Sequence, residues 1–276
     1  MNKYISIFFC VQIIALNLFA MQPKVTPVDY VRPQIDTHKS RWFFFSSASR
    51  PFGMVSLSPD TWTEGSWNSG YLYNSKEIRC FSHVHCWQLA GVPVMPTTGE
   101  VKGHKGMDAY KSTYSHETEI VKPGYHKVEL DTYQIRVELT STSRVGMHRY
   151  TYPAGEKANV LFDVGALLAH GKTEKAAIHR ISSKEIGGYS VLAPTSRRKK
   201  PVTVYFVARF NQNMTAFGGW EKEGKEKKLV HKNSIEGADI GGYASFGKLK
   251  KQTLLMKVGI SYVSEEQARI NLEKEL

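Results

Sequence analysis

The 276-residue chain carries 37 Lys and Arg against 25 Asp and Glu, a formal net charge of +12. Its 41% hydrophobic and 22% charged residues exclude wholesale disorder, and the length suffices to bury a core without covalent staples. A basic excess raises nucleic acid as a partner. The charge is spread along the chain, however, with one basic run at 197–200 and a mixed-sign run at 221–228 that reads as a solvated surface loop, so no nucleic acid is expected.

Taken in chain order, residues 1–20 read as a signal peptide. Lys3 supplies the positive start, residues 4–20 are mostly apolar with Gln12 and Asn17 interrupting, and Ala20 ends the run with a small residue. The run is short and polar for a membrane span. The expectation is an exported protein, periplasmic or extracellular, with no membrane span after signal removal; an uncleaved N-terminal anchor is the alternative. Residues 21–263 then read as a β domain. Strand patterns fall at 52–57, 77–84, 126–131, 134–140, 145–152, 159–164, 188–193, 202–210, 243–246 and 254–263. Those at 126–131 and 134–140 alternate, with Val128 and Leu130 on one face and Ile135, Val137 and Leu139 on the next, so they predict a hairpin. Many short strands with few helical periods predict an all-β fold, a large antiparallel β-sandwich. Gly187-Gly188 and Gly218-Gly219 read as turn glycines. The stretch 97–124 is too long for a plain hairpin loop and reads as a lid or binding loop. Residues 264–276 predict a helix, with Ser264 as N-cap, Gln267 as its capping-box partner, and Ala268, Leu272 and Leu276 along one face.

The chemistry-bearing residues concentrate early. Trp42, Trp62, Trp67 and Trp87 lie within one stretch that also holds Phe52, Tyr71, Tyr73, Asp60, Asn68, His83, His85 and Gln88. Rings beside a few polar groups suit a sugar, whose C–H faces stack and whose hydroxyls hydrogen-bond. Phe43, Phe44 and Phe45 read as core, while the Trp residues beside Gly, Thr, Ser and Asn read as loop positions. The segment 80–86, CFSHVHC, holds zinc-type ligands, but on a strand His83 and His85 share a face and Cys80 and Cys86 the other. The two cysteines lie about 20 Å apart if extended, so free or buried thiols are expected. Two histidines at a pocket edge are one reading; side chains bonded to nearby backbone are the other. No nucleophile elbow, phosphate loop or dinucleotide fingerprint is present. Asp60, Glu64, Asp108 and Glu117 are carboxylates without a spacing that selects a catalytic pair.

The segments PFGMVSLSPDT (51–61), SGYLY (69–73), FSHVH (81–85), VMPTTGEV (94–101), SHETE (115–119), PGYHKVEL (123–130), VELTSTSRVGMHRYTYP (137–153) and VGISYVSEEQARINLEKE (258–275) resemble, in order, the N-terminal half of glycoside hydrolase family 92, in its Bacteroidetes-like form. The resemblance implies an N-terminal supersandwich joined by helices to a C-terminal (α/α)6 barrel, in calcium-dependent, inverting, exo-acting α-mannosidases, here of the α-1,2 type. It places the catalytic acid, base and calcium in the barrel. On this reading residues 264–276 begin the linker helix to a barrel missing from this sequence, and the chain alone neither holds calcium fully nor carries catalytic or metal residues. Its partners are then α-mannosides or mannose-containing glycans and the (α/α)6 domain. The sugar-contacting candidates are Phe52, Trp62, Trp67, Tyr71, His83, His85, Trp87 and Gln88. The alternatives are a stand-alone, non-catalytic carbohydrate-binding module and a mainly structural domain.

Overall fold

The computed structural model describes residues 25–38, 47–64, 70–85, 91–166, 168, 171–196 and 198–276. The signal segment 1–20, and with it Trp42, Phe43, Phe44, Phe45, Trp67, Cys86, Trp87 and Gln88, lies outside the described residues. The described residues 25–31 and those from 32 onward belong to separate units. In the first, a short 3-10 turn, Pro27–Tyr30, is capped by the Asp29 carboxylate, which accepts from the backbone N–H of Thr26 at 2.7 Å.

The second unit is built from two large antiparallel sheets. One has eight strands in the spatial order Ala48–Ser49, Ser56–Asp60, Cys80–Ser82, Val94–Thr98, Lys157–Phe162, Gly241–Lys248, Ala216–Glu223 and Glu226–Val230. The other has nine: Ser234–Gly237, Thr173–Arg180, Glu185–Leu192, Val202–Phe210, Thr253–Ser261, Val145–Thr151, Ile135–Ser141, Tyr125–Leu130 and Ile120–Lys122. A pair, Glu77–Ile78 with Ser112–Thr113, stands apart. The inner faces meet through Phe162, which stacks on Phe206 at 6.0 Å, and through Phe210 against Phe246 at 4.8 Å. Each buried Phe contributes roughly 1.5–3 kcal/mol. The predicted hairpin forms in register, Leu130 opposite Ile135 and Val128 opposite Val137. Its turn is four residues, closed by Gln134 in the left-handed region at φ 53°.

Several strands lie outside the sequence reading, among them Val94–Thr98, Thr173–Arg180 and Ser234–Gly237, and the pattern at 77–84 divides into Glu77–Ile78 and Cys80–Ser82, which pair in different sheets. Thr173–Arg180 is rich in helix formers, but it is paired on both sides, to Glu185–Leu192 and to Ser234–Gly237, and tertiary pairing overrides propensity. The mixed-charge run is a hairpin, Ala216–Glu223 with Glu226–Val230, turning at Gly224. The second arm is the sheet's edge, where charges discourage further pairing; Lys228 meets Glu223 at 3.0 Å and Lys227 meets Asp239 at 2.5 Å. The paired glycines lie inside strands, not turns. A Cβ on Gly188 would stand 2.1 Å from the Ala177 carbonyl oxygen, and one on Gly219 2.1 Å from that of Gly241. These glycines let neighbouring backbones approach.

The helix Glu265–Glu275 docks on the outer face of the nine-stranded sheet. Ser264 Oγ accepts from Gln267 N at 3.0 Å, while the Gln267 amide turns onward to Asn271 rather than back, so the cap is one-sided. Ala268 and Leu272 are buried over Gly259, Asn271 donates to the Ile260 carbonyl at 2.9 Å, and Arg144 N and Nε both reach Glu275. Among the described residues no helix is long and apolar enough to cross a membrane. Within the stretch 97–124, residues 103–110 pack against the eight-stranded sheet, Ser112–Thr113 pairs with Glu77–Ile78, and Ile120–Lys122 joins the edge of the nine-stranded sheet. Gly103 lies against the fully buried Trp220 ring, where a Cβ would come within 2.2 Å, and the turn Met107–Tyr110 buries Tyr110.

Candidate functional site

Of the predicted sugar-contacting residues, Phe52, Trp62, Tyr71, His83 and His85 are described; Trp67, Trp87 and Gln88 lie outside the described residues. Strand Ser56–Asp60 pairs with Cys80–Ser82 through Ser58 opposite Ser82 and Asp60 opposite Cys80. The chain leaves one end of this pair past Asp60 toward Trp62. It leaves the other end past Ser82, toward His85, beside Ser56. Trp62 is half-buried and pairs with Gly70 by backbone bonds of 2.9 and 2.5 Å. Phe52 is fully exposed and sits in the left-handed region at φ 61°. That is an uncommon backbone for an aromatic residue, held here by Gly53 N on the Arg50 carbonyl and Met54 N on the Ser143 carbonyl.

His83 and His85 do not share a face, because the strand bends at His83. His83 turns inward between the sheets. Its Nδ1 donates to the Val92 carbonyl at 2.9 Å, its Nε2 accepts from His148 Nε2 at 2.9 Å, and His148 Nδ1 accepts from Tyr150 Oη at 2.9 Å. This donor order leaves every ring nitrogen satisfied. Burial keeps both rings neutral: His83 is lowered to about 4, and His148 falls well below the usual range from burial and from His83. His85 turns outward instead. Its Nε2 meets Asp60 Oδ1 at 2.7 Å and its Nδ1 meets the Ser56 carbonyl at 2.5 Å. Burial opposes a charged ring, but the Asp60 carboxylate and the Ser56 carbonyl outweigh it and raise the His85 pKa. Asp60 Oδ2 also accepts from Ser82 Oγ at 2.5 Å and from Cys80 Sγ at 3.3 Å. Cys80 and His85 therefore converge on one carboxylate, which the alternating-strand reading did not anticipate. The Cys80 thiol is buried, and burial together with Asp60 pushes its pKa well up.

Tyr71 belongs to another network. Its hydroxyl donates to Glu119 Oε2 at 2.9 Å and accepts from Gln34 Nε2 at 2.9 Å. Glu119 also takes His116 Nδ1 at 2.6 Å and His126 Nε2 at 2.7 Å. Burial would raise the Glu119 pKa, but these donors bring it below the ordinary carboxylate value. His116 stacks on Tyr73 at 4.0 Å and reaches its carbonyl at 2.6 Å. The network ties segments 34–38, 70–73 and 115–126 together behind the Trp62 loop. Tyr71, His83 and His85 thus have protein partners on their polar atoms, while Phe52 and Trp62 present ring surface. Glu119, His116, His126 and His148 were not singled out as site residues, although they stand in the segments SHETE, PGYHKVEL and VELTSTSRVGMHRYTYP; Asp60 was read only as a polar group beside the aromatic residues and as one of four unpaired carboxylates. A further buried carboxyl, Asp163, accepts from Tyr110 Oη at 2.7 Å, and burial raises it to about 6.

The sequence profile of the glycosyl hydrolase family 92 N-terminal domain matches residues 30–261. A family GH92 α-mannosidase from Bacteroides thetaiotaomicron superposes with a TM-score of 0.80 at 28% identity, covering 92% of this chain and 36% of that one. The same enzyme in complex with mannoimidazole superposes with a TM-score of 0.75 at 28% identity, covering 90% and 34%. A family GH92 inverting mannosidase from B. thetaiotaomicron VPI-5482 has a TM-score of 0.76 at 23% identity, covering 92% and 34%. The chain spans about a third of the length of these structures. No curated protein matches it.

Proposed function

Because this chain belongs to glycosyl hydrolase family 92 through its N-terminal domain, we propose that it forms the sugar-facing, non-catalytic part of an exported exo-α-mannosidase that acts by inversion on α-1,2-type linkages. The observation that carries this reading is the likeness, over nearly the whole chain, to an α-mannosidase solved with mannoimidazole. We further propose a division of labour. Phe52, Trp62 and the loop residues Trp67, Trp87 and Gln88 contact the sugar. Tyr71, His83 and His85 position the loops that carry them.

We assign the catalytic acid and base, and calcium, to an (α/α)6 domain beyond these residues. Calcium requires six to eight oxygen ligands. Asp60, Glu119 and Asp163 instead accept from His85, His126 and Tyr110 respectively, so this donor set does not fit the ion. A second reading, a stand-alone carbohydrate-binding module, rests on the continuous core that the chain's own two sheets bury between them.

The test is an assay of the full chain on an aryl α-mannoside with calcium. No turnover is expected, and clear turnover refutes the division of labour. Reading the gene past codon 276 separates the two hypotheses: an in-frame barrel supports the first, a stop codon in intact genomic DNA the second.

A further inference from the structure

Where strand Lys157–Phe162 runs out at Asp163, the chain leaves a cleft of about 420 Å³. Asp163, Asp239, Lys172, Lys227, Thr173 and Met107 line it. Asp163 is only 5% exposed, and Tyr110 fixes its carboxyl by a hydrogen bond to Oδ2. Thr173 is 4% exposed, and its hydroxyl has no hydrogen-bond partner in the protein. A buried hydroxyl without a partner is uncommon and calls for a ligand or an ordered water. The charges on the walls balance: two carboxyl groups face two ammonium groups, and Lys227 meets Asp239 at 2.5 Å. A bare cation would have to compete with Lys227, and a phosphate with the two carboxyl groups. The cleft offers donors and acceptors together, with small residues and a Met side chain to pack against C–H groups.

We propose that this cleft binds a neutral, pyranose-sized polyol, a single sugar residue whose hydroxyls are held by Asp163, Thr173 and the Asp239–Lys227 pair. Its volume is at the small end of ligand pockets, in keeping with one ring. The inference does not depend on the mannosidase reading, because none of these residues is among the sugar-contacting candidates of the Trp62 loop.

The test is saturation-transfer NMR on the full chain, with methyl α-D-mannoside and D-glucose as probes at roughly 10 mM, enough to populate a millimolar site. Transfer to at least one sugar is expected. It should weaken by roughly fivefold, the loss of one neutral hydrogen bond, in Thr173→Val and in Asp239→Asn, with the far-ultraviolet circular dichroism unchanged. Asp239 and Lys172 lie at the surface, so Asp239→Asn and Lys172→Met keep the test available if the Thr173 variant does not fold. Lys122→Ala, on the exposed strand at the far edge of the nine-stranded sheet, should leave transfer in place. Three results would overturn the proposal: no transfer from either sugar, transfer from both sugars that every cleft variant leaves intact, or binding of calcium chloride or inorganic phosphate with both sugars silent.

Discussion

Lowering the pH from 7 to 4 should destabilise the sandwich through the His83–His148 pair, and the size of the effect follows from its burial. His83 is fully buried and titrates at about 4 in the folded chain, against about 6.5 when unfolded. The folded value lies below the unfolded one. The unfolded chain therefore takes up more protons between 6.5 and 4, and stability present above pH 6.5 is lost as pH falls through that window. The gap corresponds to about 3 kcal/mol, and His148, displaced in the same direction, adds to it. Two groups act oppositely. His85 is raised by Asp60, so its contribution is present at low pH and lost as pH rises through its folded value. Asp163, raised by burial from 3.8 to about 6, contributes below 3.8 and loses that contribution as pH rises through 6. The His83 effect is therefore read as a difference. Urea unfolding of the wild type and of His83→Gln, each at pH 7, 5.5 and 4, should show the wild type losing more stability on acidification than the variant, by up to about 3 kcal/mol. Parallel pH profiles for the two proteins would refute the neutral, inter-sheet histidine pair.

Three further outcomes follow from the packing. Gly188→Ala places a Cβ 2.1 Å from the Ala177 carbonyl oxygen; thermal unfolding should show a loss of roughly 1–3 kcal/mol, and an unchanged melting temperature would contradict the close strand approach. Glu119→Gln replaces the acceptor shared by His126, His116 and Tyr71; chemical denaturation should register a loss of about 2 kcal/mol, the range for hydrogen bonds to a charged group. Ser264→Ala removes the helix cap and should cost about 1 kcal/mol, with increased amide exchange confined to the first turn of Glu265–Glu275.

Much of the fold was legible because apolar alternation is local. Val128, Leu130, Ile135, Val137 and Leu139 are all buried, as their spacing requires. Ser264 caps the last helix because the capping signal is also local. What failed was non-local. Thr173–Arg180 carries helix-forming residues and becomes a strand only because strands wait on both sides. Gly188 and Gly219 looked like turns because sequence does not show which backbone will pass beside them. At the candidate site the aromatic loops were visible as composition, but the two histidines were not resolved. One bend at His83 sends neighbouring rings to opposite sides of a sheet, one to His148 and the other to Asp60. The Glu119 network was invisible for the same reason, since its members come from 34, 71, 116, 119 and 126.

The most direct test of the sugar-facing assignment is a titration of the full chain with α-1,2-mannobiose, followed through the tryptophan indole N–H resonances in a ¹H–¹⁵N spectrum. The signals of Trp62, Trp67 and Trp87 should shift, that of the buried Trp220 should stay in place, and the disaccharide should remain intact. Unmoved loop indoles, or release of free mannose, would contradict the assignment.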